Sequence, residues 1–137
     1  MNSSSNPVWS KDPKVALNEP YKDARGIIQS LISLPTAKIR SAVWIESNKD
    51  SIRANHYHKT DWHYCYVVSG SIIYHHRPVN SDEKPIKILI NSGEIFYTPP
   101  MIEHAMEFPE DTVFLTLSGG SRSEEDYETD LVRVNLI

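Results

Sequence analysis

The sequence contains a single cysteine, no basic tract and no long apolar run, and each shortage narrows the class of protein. Cys65 has no second cysteine for an intrachain disulfide, which fits a reducing cytoplasm, and we expect its buried thiol to be inert. No stretch approaches the length of a membrane-spanning helix, and the N-terminal segment lacks the apolar core of a secretion signal. We therefore expect a cytoplasmic protein with no membrane partner.

The charge balance argues against a nucleic-acid partner. The chain has 14 lysines and arginines against 18 aspartates and glutamates, a formal net charge of -4. The net charge does not exclude a local basic patch that binds a phosphorylated small molecule. The 137 residues, 39% of them hydrophobic and 23% charged, fit one soluble globular domain that buries roughly two-thirds of its unfolded surface.

Short strand-like segments dominate the chain. Residues Lys38–Glu46 alternate between Ile39, Ser41, Val43, Ile45 and Arg40, Ala42, Trp44, Glu46, which is the period of a strand. Comparable segments recur at a spacing of roughly 8–12 residues with turn residues between them, a pattern typical of antiparallel sandwiches and barrels. We predict an all-β, single-domain jelly-roll β-barrel over residues 21–137, preceded by a flexible arm over residues 1–20.

Four histidines carry the strongest chemical signal. His56 and His58 are two residues apart on a predicted strand and therefore share a face. His63 opens the next apolar run, and it faces the pair if that run folds back antiparallel; His104 lies in a later segment. Neutral imidazoles converging in a dry interior suit Zn, Cu, Fe or Ni. The alternative is an aromatic-rich core with satisfied histidines and no metal.

Other polar residues have weaker assignments. Adjacent His75 and His76 must take opposite faces, so at most one enters the interior, and solvent-facing or supporting positions are expected for both. Arg53 and Lys59 flank the paired histidines and could bind a carboxylate or diphosphate, or they could form a solvated rim. The acidic run 124–130 is interpreted as a solvated loop or helical turn.

The spacing of these residues resembles the two motifs of the cupin superfamily. Four residues separate His58 from His63, where cupins commonly have Glu, and six residues separate His63 from Gly70. The second motif matches at Gly93, Pro99 and His104. Asp50, Met101 and Phe108 stand where the family has Gly, Gly and Asn. The resemblance covers residues 38–117 and implies a jelly roll with one divalent metal held by His56, His58, His63 and His104.

A narrower resemblance involves the segments DARG (23–26), RANHYHK (53–59) and SGS (69–71). Together they look like cupin-fold 3,5-epimerases and 3,4-ketoisomerases of nucleotide-sugar metabolism, which serve polysaccharide biosynthesis. The resemblance implies that His56 or His58 is the general base and that a nucleotide sugar is the ligand. Arg53, Lys59 and Tyr66 are our candidates for substrate binding. Those relatives generally need no metal, so the four metal-spaced histidines depart from their pattern.

Three functions follow from these observations. The first is a metal-binding isomerase or epimerase of a keto-sugar nucleotide. The second is a metal-dependent dioxygenase or lyase on a small carboxylated or diketo substrate, favoured by a neutral ligand set that keeps the full charge of Zn, Fe, Ni, Mn or Cu and leaves coordination positions open. The third is a ligand-binding cupin without turnover. We expect a homodimer, because cupins commonly pair through exposed strand edges.

Overall fold

The computed structural model describes residues 8–120 and 123–137, and nearly all of its regular secondary structure is β-strand. Its eleven strands and one helix, among the described residues, are β1 Tyr21–Asp23, β2 Gly26–Ile28, β3 Ser41–Ser47, β4 Ile52–His58, β5 His63–Ser69, β6 Ser71–Pro78, β7 Ile86–Asn91, β8 Ile95–Thr98, β9 Ile102–Glu107, β10 Thr112–Ser118, α1 Glu124–Asp130 and β11 Leu131–Arg133. None of the described helical residues forms a helix long and apolar enough to cross a membrane.

Two antiparallel sheets make up the body of the protein. One has the strand order β3-β10-β5-β8 and the other the order β11-β4-β9-β6-β7, while β1 and β2 form a separate hairpin. This arrangement confirms the predicted all-β jelly roll. Within residues 8–120 and 123–137 the strands pair as two open sheets, and no closed barrel is found.

The main core lies between the inner faces of the two sheets. Cys65, Val67, Phe96 and Phe114 come from the four-stranded sheet, and they pack with Ile72, Tyr74, Ile90 and Met106 of the five-stranded sheet. The predicted alternation of β3 is confirmed, because Val43 and Ile45 are half-buried whereas Ala42 and Trp44 are exposed. Period-two patterning thus places one side chain in two of each strand between the sheets.

A second cluster covers the outer face of the four-stranded sheet. Trp62, Tyr64, Ile95 and Tyr97 are buried there beneath residues of the segment 15–37, including Val15, Leu31 and Leu34. The apolar residues 27–34 form only part of the short strand β2 and then continue as an irregular covering segment. Strand β5 has both faces covered, since His63 and Cys65 point inward while Tyr64 packs outward.

The described part of the N-terminal segment lies along the same chain's strand β8. Val15 N–H donates to the Ile95 carbonyl at 2.9 Å, and Tyr97 N–H donates to the Pro13 carbonyl at 3.0 Å. Trp9 reaches further and donates from Nε1 to Nδ1 of His76 at 2.9 Å. These contacts fix residues 9–15 on the body of the protein, while the arm boundary at residue 20 stays a prediction.

Gly70 makes the tight turn between β5 and β6. Its φ of +85° lies in the left-handed region, and a Cβ there would approach Thr112 Oγ1 to 2.4 Å. The turn allows β5 and β6 to enter different sheets one residue apart. Since β5 carries His63 and β6 pairs with the strand carrying His104, this turn brings two predicted site residues to opposite walls of one interior.

Candidate active site

Three histidines meet on the inner face of the five-stranded sheet. The antiparallel pairing of β4 with β9 places His56 directly opposite His104, and their ring centroids are 4.7 Å apart. His58 follows two residues after His56, and the two rings lie 4.8 Å apart. One ligand nitrogen from each of the three rings lies within 4.8 Å of the others, so this group could hold a metal ion. We call it the three-histidine group.

His63 reaches the same interior from the other sheet. Its ring is 4.5 Å from that of His58, but Nε2 lies 3.3 Å from Asp61 Oδ2, and His58, Asp61 and His63 form a second group that could bind a cation. The His63 run does not pair with the preceding strand, since β4 and β5 belong to different sheets. His63 therefore faces the pair across the gap between the sheets.

Hydrogen bonds orient two of the rings. His58 lies with Nδ1 3.1 Å from Asp130 Oδ2, and His104 lies with Nδ1 2.9 Å from the Ile102 carbonyl. A carboxylate or carbonyl at Nδ1 holds that nitrogen protonated and leaves Nε2 as the atom with a free lone pair. Nε2 of His58 is buried and has no hydrogen-bond partner among the described residues.

The interior keeps these imidazoles neutral. Burial lowers the pKa of His56 to about 2, that of His58 to about 4 and that of His104 to about 3. Neighbouring histidines lower all three further, since each would carry the same charge when protonated. Only His58 has acidic neighbours, Asp61 and Asp130, that act in the opposite direction. Neutral imidazole is the form that binds metal ions or accepts a proton.

Asp130 is the most heavily bonded carboxylate at the site. Besides the His58 contact, it accepts from Thr60 N–H at 2.8 Å, from the Thr60 hydroxyl at 2.7 Å and from Asp61 N–H at 3.1 Å. These donors lower its pKa against the effect of burial, so it stays ionised behind His58. The acceptor geometry ties the end of α1 to the segment between β4 and β5.

Two cavities adjoin the histidines. The His104 cavity, about 150 Å³, is bounded by Arg53, His56, His63, His104, Met106 and Tyr127 among others. The Asp130 cavity, about 310 Å³, is bounded by Arg40, His58, Asp61, Tyr127 and Asp130 among others. Tyr127 lines both, and its ring centroid lies 5.6 Å from that of His58. The histidines therefore lie between two spaces, of which the Asp130 cavity has the volume of a small-molecule site.

The three substrate-binding candidates take different positions. Arg53 lines the His104 cavity, where it donates to Ser47 Oγ at 2.6 Å and to the Glu46 carbonyl at 3.0 Å. Lys59 is exposed and directly follows His58. Tyr66 packs with the outer cluster, on the face of β5 opposite His63. The structure thus brings Arg53 together with the histidines and places Tyr66 behind the sheet.

Sequence reasoning missed Asp61, Tyr127 and Asp130. Two of them lie in the acidic run interpreted as a solvated loop or helical turn; that run is helix α1, and it supplies the partner of His58. Ser123 begins this helix, accepting from Asp126 N–H at 3.3 Å. A Ser followed three residues later by Asp is a start signal, and helical spacing then puts Tyr127 and Asp130 on one face.

The donor set fits a divalent metal ion. The buried, unpartnered Nε2 of His58 and the outer hydrogen bonds of His58 and His104 are the arrangement found behind metal-ligating histidines. The second group supplies two histidines and one carboxylate, a set also known for metals. His63 falls in the second group with His58 and Asp61, so the described residues do not bring the four predicted ligands into one group.

Comparison with solved structures shows the fold. A doubly substituted form of the 3,4-ketoisomerase QdtA from Thermoanaerobacterium thermosaccharolyticum, in complex with TDP, superposes with a TM-score of 0.67 and 25% identity over 84% of this chain and 82% of that chain. A 3,4-ketoisomerase from Helicobacter canadensis gives 0.68 and 18% over 84% and 85%. The dTDP-4-dehydrorhamnose 3,5-epimerase from Sulfolobus tokodaii gives 0.65 and 17% over 84% and 80%.

Comparison by sequence adds nothing to these structural likenesses. No protein-family profile and no curated protein matches the chain. The structural neighbours share the cupin jelly roll of ketoisomerases and epimerases, which is the fold implied by the motif resemblance.

Proposed function

We propose that this protein is an isomerase or epimerase of a keto-sugar nucleotide, serving polysaccharide biosynthesis. The observation that carries the proposal is the contact between Asp130 and Nδ1 of His58. It leaves Nε2 of His58 with a free lone pair in the interior between the two cavities. Its support is the likeness to the ketoisomerase solved with TDP, at 25% identity over 84% of the chain. The His104 cavity, about 150 Å³, would take the sugar, and the Asp130 cavity, about 310 Å³, would take part of the nucleotide; Tyr127 lines both.

His58 is a better proton acceptor than His56. Burial and four cationic or potentially cationic neighbours all lower the pKa of His56, whereas the carboxylates of Asp61 and Asp130 partly offset the effect of burial on His58. In the proposed reaction His58 Nε2 takes the proton from the carbon next to the carbonyl, and the electron pair moves to the carbonyl oxygen. Return of the proton to the same carbon on its opposite face completes epimerisation. In isomerisation the proton of the hydroxyl group on that carbon passes to the former carbonyl oxygen, and a proton is added to the former carbonyl carbon, so the keto and hydroxyl groups exchange places.

A solvent-exchange experiment tests this proposal. The protein is incubated in deuterated buffer with TDP-4-keto-6-deoxyglucose, the sugar nucleotide bound in a related QdtA structure. Deuterium should enter the sugar at a carbon adjacent to the keto group, as followed by NMR and mass spectrometry. Binding without exchange would instead support a ligand-binding cupin, and absence of both binding and exchange would contradict the substrate class.

The second candidate is a metal-dependent dioxygenase or lyase acting on a small carboxylated or diketo substrate. Two observations favour it: the three-histidine group offers one nitrogen per ring within 4.8 Å, and the pKa values of all three rings are low. We propose one divalent ion held by His56, His58 and His104, with His63 joining when it leaves Asp61. Such an ion polarises oxygen ligands, and the cation of Arg53 would hold a carboxylate in the same cavity.

Metal removal separates the two candidates, because His58 Nε2 cannot hold an ion and accept a proton at once. The protein is analysed for bound metal, stripped with a chelator, and assayed again for deuterium exchange and for Fe(II)-dependent oxygen consumption. Exchange that survives stripping supports His58 as the base. Activity that returns only with metal supports the second candidate and assigns the histidines as ligands.

We also propose that the protein is a cytoplasmic homodimer. All six residues of β1 and β2 are exposed, and Tyr21, Ile27 and Ile28 are each at least 60% exposed. A two-stranded hairpin with exposed apolar side chains is marginally stable alone and is stabilised by covering it. Light scattering should give twice the chain mass, and Ile27→Asp with Ile28→Asp should give the single mass without altering the fold.

A further inference from the structure

Strand β4 contains a bulge immediately before the first site histidine. Along β9, Ala54 is paired with Ala105 and His56 with His104, so Asn55 is an extra residue with no partner in the ladder. Ala54 and Asn55 have φ values of 71° and 58°, both in the left-handed region. Asn tolerates this region better than most residues with a side chain, whereas β-branched residues rarely adopt it.

The bulge changes which side chains face the interior. Arg53 and His56 are three residues apart, and a regular strand would direct them to opposite faces. Because Asn55 is the extra residue, Arg53 is paired with Met106 and His56 with His104, two residues that share the inner face of β9. All four side chains line the His104 cavity. The cation and the histidine therefore meet in one cavity only while the bulge is present.

The segment that continues from β11 holds the bulge in place. Val134 N–H donates to the Asn55 carbonyl at 2.9 Å. The side-chain oxygen of Asn55 accepts from Leu136 N–H at 3.2 Å and from Ile137 N–H at 3.1 Å. Asn55 thus combines a backbone conformation that suits its residue type with side-chain contacts to a neighbouring segment.

We infer that Asn55 is a positioning residue: its left-handed backbone directs Arg53 and His56 into the same cavity, so that an anionic or carbonyl oxygen held by Arg53 lies beside the histidines. The inference rests on the proposed function for the identity of that ligand, but the placement of the two side chains does not. It assigns a functional task to a residue that touches neither the ligand nor a metal.

Two variants at this position separate backbone geometry from side-chain contacts. Asn55→Gly keeps access to positive φ and loses the carboxamide, so kcat/KM should stay within about 3-fold of the wild type. Asn55→Val disfavours positive φ and should restore regular alternation, which misplaces Arg53 or His56. A displacement of about 1 Å at a reacting group costs on the order of 100-fold in kcat/KM. Affinity for Ni²⁺ should fall by about 10- to 100-fold.

Crystal structures of the two variants provide a readout that needs neither turnover nor metal. The inference predicts Arg53 and His56 in one cavity in Asn55→Gly and in different surroundings in Asn55→Val. Equal losses in both variants, or an unchanged cavity in Asn55→Val, would overturn it. If Asn55→Val does not fold, Asn55→Ala replaces it and should fall between the other two. If the wild-type protein does not turn over the keto sugar, the proposed function is overturned but the inference about Asn55 is not. The crystal structures of the variants test that inference independently.

Discussion

Two pairs of histidines, on the strands that flank β9 in one sheet, have opposite environments. His56 and His58 on β4 join the three-histidine group, and Nε2 of His58 has no partner among the described residues. On β6, His75 Nε2 lies 2.7 Å from Glu107 Oε1, while His76 is bonded through both nitrogens, to Trp9 Nε1 and to the Lys11 carbonyl. The spacing along each strand explains this difference. Side chains two residues apart on a strand share a face of the sheet, whereas adjacent side chains point to opposite faces.

We therefore distinguish structural from functional buried histidines by their ring nitrogens. In a structural histidine both nitrogens are hydrogen-bonded, whereas a functional one keeps a nitrogen without a partner. His76 is only 1% exposed and stacks on Tyr74 beside the site, yet its hydrogen-bonding capacity is used by the N-terminal segment. His58 is equally enclosed but keeps one lone pair facing the interior. A buried polar atom without a partner costs about 1–3 kcal/mol, a cost that a ligand or ion can remove.

The largest expected effect is on His58. His58→Gln removes the proposed proton acceptor while keeping a polar side chain, and the rate of deuterium exchange into the keto sugar should fall by about 10²- to 10⁴-fold. His75→Gln is the matched control, because His75 points away from the interior toward Glu107, and its exchange rate should match the wild type. Equal rates in the wild type and His58→Gln would remove His58 from the mechanism.

Metal affinity should distinguish the histidine of β9 from its neighbour on β6. His104→Ala removes one nitrogen of the three-histidine group, so affinity for a divalent ion should fall by more than the roughly 10- to 100-fold typical of an orienting residue. His76→Ala should leave that affinity within a few-fold, since both His76 nitrogens are engaged elsewhere. Titration calorimetry of both variants measures the two affinities. An equal loss of affinity in both variants would indicate that the ion binds nearer to β6 than we propose.

The Asp130→Asn variant tests whether Asp130 orients the ring of His58 for catalysis. An amide at this position no longer fixes the proton on His58 Nδ1, so kcat should fall by about 10- to 100-fold while KM changes little. The pH at which His58 titrates should also shift downward, because the carboxylate that raises its pKa is gone. A fall in stability with unchanged kcat would show that Asp130 only fastens α1 to the segment after β4.

Much of this comparison was available from the sequence. The pairing of His56 with His58 on one face follows from a spacing of two, and the jelly roll follows from short alternating strands and the cupin-like motif spacing. The position of His63 also followed from β5 periodicity, although its strand pairing did not. These features depend on residues close together in the chain, where local geometry decides the outcome.

Other features depend on contacts between distant segments. Asp130 reaches His58 from 72 residues away, and Trp9 reaches His76 from 67 residues away. The bulge at Asn55 depends on the register with β9 and on the bond from Val134 N–H to the Asn55 carbonyl, so strict alternation along the sequence does not give the direction of Arg53 relative to His56. Tyr66 was misjudged for a related reason: both faces of β5 are covered, and burial alone does not identify the inner one.

Stability should fall in mild acid when no metal is bound. Folding lowers the pKa of His58 and His76 to about 4 and that of His104 to about 3, below the ordinary value of 6.5. Below about pH 6.5 the unfolded chain therefore binds more protons than the folded one. The free energy of unfolding then falls as the pH is lowered, until the pH reaches the pKa values of the histidines in the folded protein. Each histidine contributes about 1.4 kcal/mol per pH unit in that window. Urea unfolding of the stripped protein at pH 7.5 and 5.5 measures the difference, and equal free energies would contradict the neutral histidines.

The smallest expected effect concerns the partner of His76. Trp9→Phe keeps an aromatic ring but removes the Nε1–H that donates to His76 Nδ1, leaving a buried nitrogen without its donor. The free energy of unfolding should fall by about 1–3 kcal/mol, as measured in urea. Val8→Ala is the control, since Val8 is 85% exposed and should change stability little. If Trp9→Phe is as stable as the wild type, the His76 nitrogens are satisfied some other way, and an engaged second nitrogen no longer separates the histidines of β6 from those of β4.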